Sequence, residues 1–93
     1  MNNEKTISFI SDRKHYDIPE SSILYISMNK QDAFIHISDG SVLKTRMTFA
    51  KIQHTLSANF IRITRGCLVS AMAIHSVGKL ITLSNGESFE YAT

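Results

Sequence analysis

The chain has 93 residues, 43% of them hydrophobic, with 4 glycines, 1 proline and a formal net charge of +2. That length suits one domain over residues 1–93 with a single core, and the composition excludes a disordered or low-complexity chain. The lone Cys67 excludes an internal disulfide framework. With no signal peptide and no apolar run of about eighteen residues in view, a reduced, cytoplasmic setting without a membrane span is expected.

Strand signals dominate, as short alternating apolar pieces separated by turn dipeptides. Alternation predicts strands at Thr6–Ile10 and Lys14–Ile18. Pro19, with Ser21 and Ser22 behind it, breaks the chain before the next pair, Ile23–Met28 and Ala33–Ser38, whose hairpin tip carries Lys30 and Gln31. Asp39-Gly40 is a sharp hairpin signal leading into a strand at Val42–Lys44, because glycine and its polar neighbour accept the positive φ of a tight turn. From Thr48 to Ser57 the period changes: Phe49, Ile52 and Leu56 recur at helical spacing, with Lys51 and His54 off that stripe. A short helix is expected there, N-capped by Thr48, with Asn59 helping the chain to leave it.

The run from Phe60 to Ser70, FIRITRGCLVS, returns to alternation, with a strand at Ile61–Thr64. Ile61 and Ile63 share one face; Phe60, Arg62 and Thr64 share the other. Gly66 is expected to free the backbone to turn, which would present Arg65 in a loop. Strands at Ala73–Val77, Leu80–Ser84 and Ser88–Tyr91 complete a mainly β chain, with a weak turn at Gly78-Lys79 and a sharp one at Asn85-Gly86.

Charge is segregated along this chain. No acid occurs between Asp39 and Glu87, whereas Lys44, Arg46, Lys51, Arg62, Arg65 and Lys79 all fall there. Such segregation can build a positive patch able to meet polyphosphate, although a small basic protein can show the same gap by chance. Arg65 offers a planar fork of donors that matches guanine O6 and N7; its ordinary alternative is a solvated surface arginine. Arg62 suits a structural role, its stem on apolar surface and its head reaching an acid or a phosphate. Arg46, Thr48 and Lys51 cluster at a helix start, where free N–H groups and two cations could hold a phosphate, or where Thr48 simply caps the helix. Lys79 at its turn is a further phosphate candidate.

Other chemistry finds no constellation. His15, His36, His54 and His75 show no ligand spacing with Cys67, so no metal is expected, nor any cofactor, and His36 and His75 suit structural pairing in strands. Cys67 suits a small core residue, and Phe34, Phe49, Phe60, Phe89 and Tyr91 suit packing before base stacking. No paired carboxylates, nucleophile with base, or phosphate-binding glycine loop can be assembled, so an enzyme is not expected.

Three segments together resemble the LytTR DNA-binding domain of bacterial transcription regulators: ILYISMNKQDAFIHISDG at Ile23 to Gly40, MTFAKIQHTLSANF at Met47 to Phe60, and FIRITRGCLVSAMAIHSV at Phe60 to Val77. The chain keeps that pattern's Phe60, Arg62, Arg65, Leu68 and Val69, but has Thr64, Gly66 and Ser70 where His, Ser and Asn are usual. The resemblance implies an elongated stack of small antiparallel sheets, a β-β-β sandwich with one short helix. It implies a response-regulator output domain that meets successive major grooves of double-stranded DNA through loops, on direct repeats, with a second copy on the same DNA. Carried over, the base contacts become Lys30, Gln31 or Asp32 in the hairpin loop and Arg65 in the turn. An arginine usual near the C-terminus has no counterpart among Tyr91, Ala92 and Thr93. Asp32 would repel phosphate unless it receives a cytosine amino group. A protein-interaction module on the same scaffold, without DNA binding, is the rival reading.

Overall fold

The computed structural model describes residues 5–90, the side chain of Phe49 excepted. Its centre is a five-stranded antiparallel sheet in the order β5-β4-β3-β7-β6. The strands are β3 (Ile23–Asn29), β4 (Asp32–Ile37), β5 (Val42–Thr45), β6 (Phe60–Thr64) and β7 (Cys67–Ser70). Against one face lie the hairpin of β1 (Thr6–Ser11) with β2 (Lys14–Pro19) and the helix α1 (Phe49–Thr55). Against the other lies a three-stranded sheet of β8 (Ile74–Val77), β9 (Ile81–Leu83) and β10 (Ser88–Phe89).

Alternation explains how the middle sheet can serve two cores. On β4, Ala33, Ile35 and Ile37 are buried while Asp32, Phe34 and His36 are half-buried on the opposite face. The first core joins those three to Ile7, Phe9, Ile26, Leu68 and the helix stripe Ile52 and Leu56. The second joins Tyr25, Ile63, Cys67 and Val69 to Ala73, Ile81 and Leu83. Each fully buried aliphatic side chain, such as Ile26 or Leu68, stabilises by roughly 1.5–3 kcal/mol through removal of its apolar surface from water.

The expected stack of small antiparallel sheets with one short helix is therefore what the chain forms, and the expected strands agree with it to within a residue at each end, β10 excepted. Several expectations change. The length suggested a single core, whereas the middle sheet buries both of its faces and so carries two. Cys67–Ser70 is a strand, which alternation could not reveal because all four residues are buried, both faces of β7 being covered. Gly66 does not use glycine's freedom, since its φ is not positive, and a Cβ there would meet Met28 O at an ordinary 3.6 Å. The positive φ values fall instead on Gly40 and Gly86, as expected, and on three non-glycine residues at hairpin tips, Asp12, Arg13 and Lys30.

The helix runs as expected from its Thr48 cap, whose Oγ1 accepts from Lys51 N at 3.2 Å. It ends at Leu56 rather than through Asn59. The buried carboxylate of Glu20 takes over there, accepting from both the backbone N–H and the hydroxyl of Ser57. Phe60 and Phe89 pack as expected, and Phe34 is only half-buried; the side chain of Phe49 and all of Tyr91 lie outside the described residues.

Candidate nucleic-acid interface

One end of the five-stranded sheet collects most of the candidate residues. Asn29 pairs with Asp32, leaving Lys30 and Gln31 as the exposed tip of the β3–β4 hairpin, with Lys30 at a φ of 60°. Lysine enters the left-handed region only where surrounding structure holds it, and here the tight register of the hairpin does so. Thr64 pairs with Cys67, so Arg65 and Gly66 form the β6–β7 turn. Met28 N donates to Gly66 O at 2.8 Å, which fixes that turn against the last residues of β3. The exposed Arg65 and the Lys30–Gln31 tip thus leave the sheet at the same end.

The third contribution comes from β5. Thr45 pairs with Ala33, so the chain emerges beside Asp32 with Arg46 next in sequence. Asp32 Oδ2 lies 3.8 Å from Lys44 Nζ, and its Oδ1 lies 4.0 Å from Arg46 Nε. These cations offset the negative charge that counted against Asp32 in a phosphate-facing loop. A cleft of about 420 Å³, lined by Met28, Lys30, Gln31, Arg46, Met47 and Thr48, connects the hairpin tip to the start of α1. Lys51 lies exposed in the first turn of α1. Lys79 is placed differently, at the β8–β9 tip, which belongs to the three-stranded sheet.

Arg62 acts within its own loop, which sequence reasoning missed. Its Nε donates to Thr64 O at 3.3 Å and its Nη2 to Arg65 O at 2.9 Å. The guanidinium therefore closes over the turn that carries Arg65 and holds two of its carbonyl oxygens. Alternation gives the face of a strand residue and not the fold of a long side chain along it, so only the spacing from Arg62 to the turn could have hinted at this.

Elsewhere Cys67, His36 and Tyr25 serve packing, whereas His75, expected to pair within its strand, lies exposed on β8. Cys67 is buried, which pushes its thiol up to about 11, far from a nucleophile's range. His36 stacks on Tyr25 with ring centroids 3.9 Å apart, and its Nε2 lies 3.3 Å from Ser27 Oγ, the paired structural role expected of it. Burial, then the Tyr25 hydroxyl's hydrogen bond to Glu87, pushes the Tyr25 phenol up to about 12. Among the described residues no helix is long and apolar enough to cross a membrane.

A family model for the LytTr DNA-binding domain matches residues 13–92. The chain belongs to the LytTR family. Its fold is that of a solved LytTr DNA-binding domain from a Bacillus cereus protein described as a methyl-accepting/DNA response regulator, with a TM-score of 0.79 over 92% of this chain and 84% of that one. At 15% identity that likeness speaks for the fold alone. No curated relative matches the chain at a significant level. Within this LytTR domain the family match begins at Arg13, so β1 precedes the matched span.

Proposed function

We propose that this LytTR domain binds duplex DNA with sequence preference as the output part of a cytoplasmic bacterial transcription regulator. Arg65 and the Lys30–Gln31 tip read bases in successive major grooves, while Arg46, Thr48, Lys51 and Lys79 hold phosphates. The observation that carries this reading is the hydrogen bond from Met28 N to Gly66 O, which puts two loops of different strands at one sheet end. A guanidinium and a glutamine amide carried there have the donor patterns that guanine and adenine present edges for. The phosphate contacts orient the duplex without reading it. Two copies of the domain occupy spaced direct repeats.

Fluorescence anisotropy of the full chain on a labelled duplex with paired repeats, against a scrambled duplex and over a range of salt, tests the proposal. Binding should weaken steeply with salt and favour one duplex. Arg65→Ala should relax that preference by roughly 1–3 kcal/mol at one base pair. An equal loss on every sequence would make Arg65 a phosphate contact, and no binding even at low salt would sink the DNA reading.

A further inference from the structure

The β1–β2 hairpin tip lies beyond every residue so far given a role. Ser11 pairs with Lys14, so Asp12 and Arg13 are the whole turn, both at positive φ (50° and 64°). Positive φ at both central residues belongs to the tight hairpin turn whose twist matches its strands, usually made with Asn-Gly or Asp-Gly. Arginine in the second place gives up the glycine that would suit the backbone and sets a cation at the extreme end of the hairpin, with Lys14 next to it. Both side chains are exposed.

The position of that tip matters more than its exposure. Ile10, Ser11 and Asp12 form one wall of a cleft of about 460 Å³ whose other wall is Asp32, Lys44, Thr45 and Arg46. The hairpin tip therefore stands at the same sheet end as the proposed reading loops, on the side where Asp32 joins Lys44 and Arg46. Asp32 is already offset by Lys44 and Arg46, so Arg13 and Lys14 add positive charge to an end whose other cations are Lys30, Lys51 and Arg65. Asp12 is the local acid that opposes it. DNA carries one phosphate charge for about every 1.7 Å of helix axis, so a duplex lying on the reading loops extends past them, and the hairpin across the cleft offers Arg13 and Lys14 at its tip.

We infer that Arg13 and Lys14 at the β1–β2 tip form a second arm that holds DNA phosphates flanking the bases read by the β3–β4 and β6–β7 loops. This rests on the DNA-binding function proposed above. The arm contributes affinity and orientation with no base preference.

The test is the salt dependence of binding by the full chain carrying Arg13→Asn with Lys14→Gln, on the repeat and scrambled duplexes. Asparagine tolerates positive φ, so the turn is kept while both charges go; an unchanged melting temperature checks this. The slope of log K against log salt should flatten by about 0.9 for each phosphate that the arm no longer neutralises, on both duplexes equally. Asp12→Asn, which also keeps the turn, should tighten binding to both. If the wild type binds and its slope matches that of the Arg13, Lys14 variant, the arm is refuted and the reading loops stand. If the wild type binds neither duplex, the DNA reading itself has failed and the arm falls with it.

Discussion

Arg62 and Arg65, three residues apart, divide the work of one turn. Arg65 faces solvent, while the Arg62 guanidinium holds the carbonyl oxygens of Thr64 and Arg65. A planar fork can donate to two carbonyls at once and an ammonium cannot match that geometry, so Arg62→Lys keeps the charge and loses the clamp. The expected result is a several-fold fall in the preference for the repeat duplex over the scrambled one, with the salt slope unchanged. Wild-type preference in Arg62→Lys would show that the clamp does not position Arg65. At this scale the sequence revealed what alternation and turn chemistry govern: the exposed tip at Lys30 and Gln31, the buried Cys67, the capping Thr48. It did not reveal the return of Arg62 onto its own loop or the pairing of Asp32 with Lys44 and Arg46, because both depend on side-chain conformations and on strands apart in sequence.

His36 carries a consequence for pH. Burial pushes its imidazole below the ordinary value of 6.5, with the opposing Glu87 carboxylate pulling the other way, and the Tyr25 ring stacks upon it. Because the folded pKa is the lower one, the unfolded chain takes the proton more readily. The stability contributed by the neutral ring is whole above about pH 6.5 and is lost as pH falls through that value toward the folded one. Thermal melts by circular dichroism should therefore show a falling Tm between about pH 7 and pH 5, and His36→Gln should flatten part of that fall. An identical slope in the variant would contradict the assignment.

Among the elements, α1 shows most clearly how local and distant signals share a structure. Its start is local: Thr48 caps it and Ile52 and Leu56 give it a buried stripe. Its end is not, since Glu20 reaches across from the one-turn helix after β2 to accept from Ser57. A carboxylate so far away in the chain leaves no mark on the helical pattern, which is why Asn59 looked like the exit. Glu20→Ala removes the acceptor of a partly buried N–H and should destabilise the fold by about 1–3 kcal/mol in urea denaturation. A loss under about 0.5 kcal/mol, the range of an ordinary surface change, would show that water replaces the carboxylate there. Strand β7 makes the same point on the sheet: it pairs with β3 on one side and β6 on the other, and burial of all its residues erased the alternation that exposed the other strands.

Over the whole molecule, the five-stranded sheet gives the chain two distinct ends. Hairpins β3–β4 and β6–β7, the exit of β5 and the tip of β1–β2 gather at one end. The Asp39-Gly40 turn and the short helix Ala71–Ala73 sit at the other. The acid-free tract from Asp39 to Glu87 hinted at a positive surface, yet it could not say which cations would meet, because the sheet order that brings β7 between β3 and β6 is set by long-range packing. With principal extents of 39 × 38 × 23 Å, the stack is broad enough to lie along about one turn of B-DNA, roughly 34–36 Å.

DNA, on this account, is held at the first of these ends. Amide chemical shifts of the isotope-labelled chain, followed as the repeat duplex is added, test that residue by residue. The largest changes are expected at Asn29 to Asp32, at Arg46 to Lys51 and at Thr64 to Gly66. Changes confined to Asp39 to Ser41 and Ala71 to Ala73, with those loops unmoved, would contradict it.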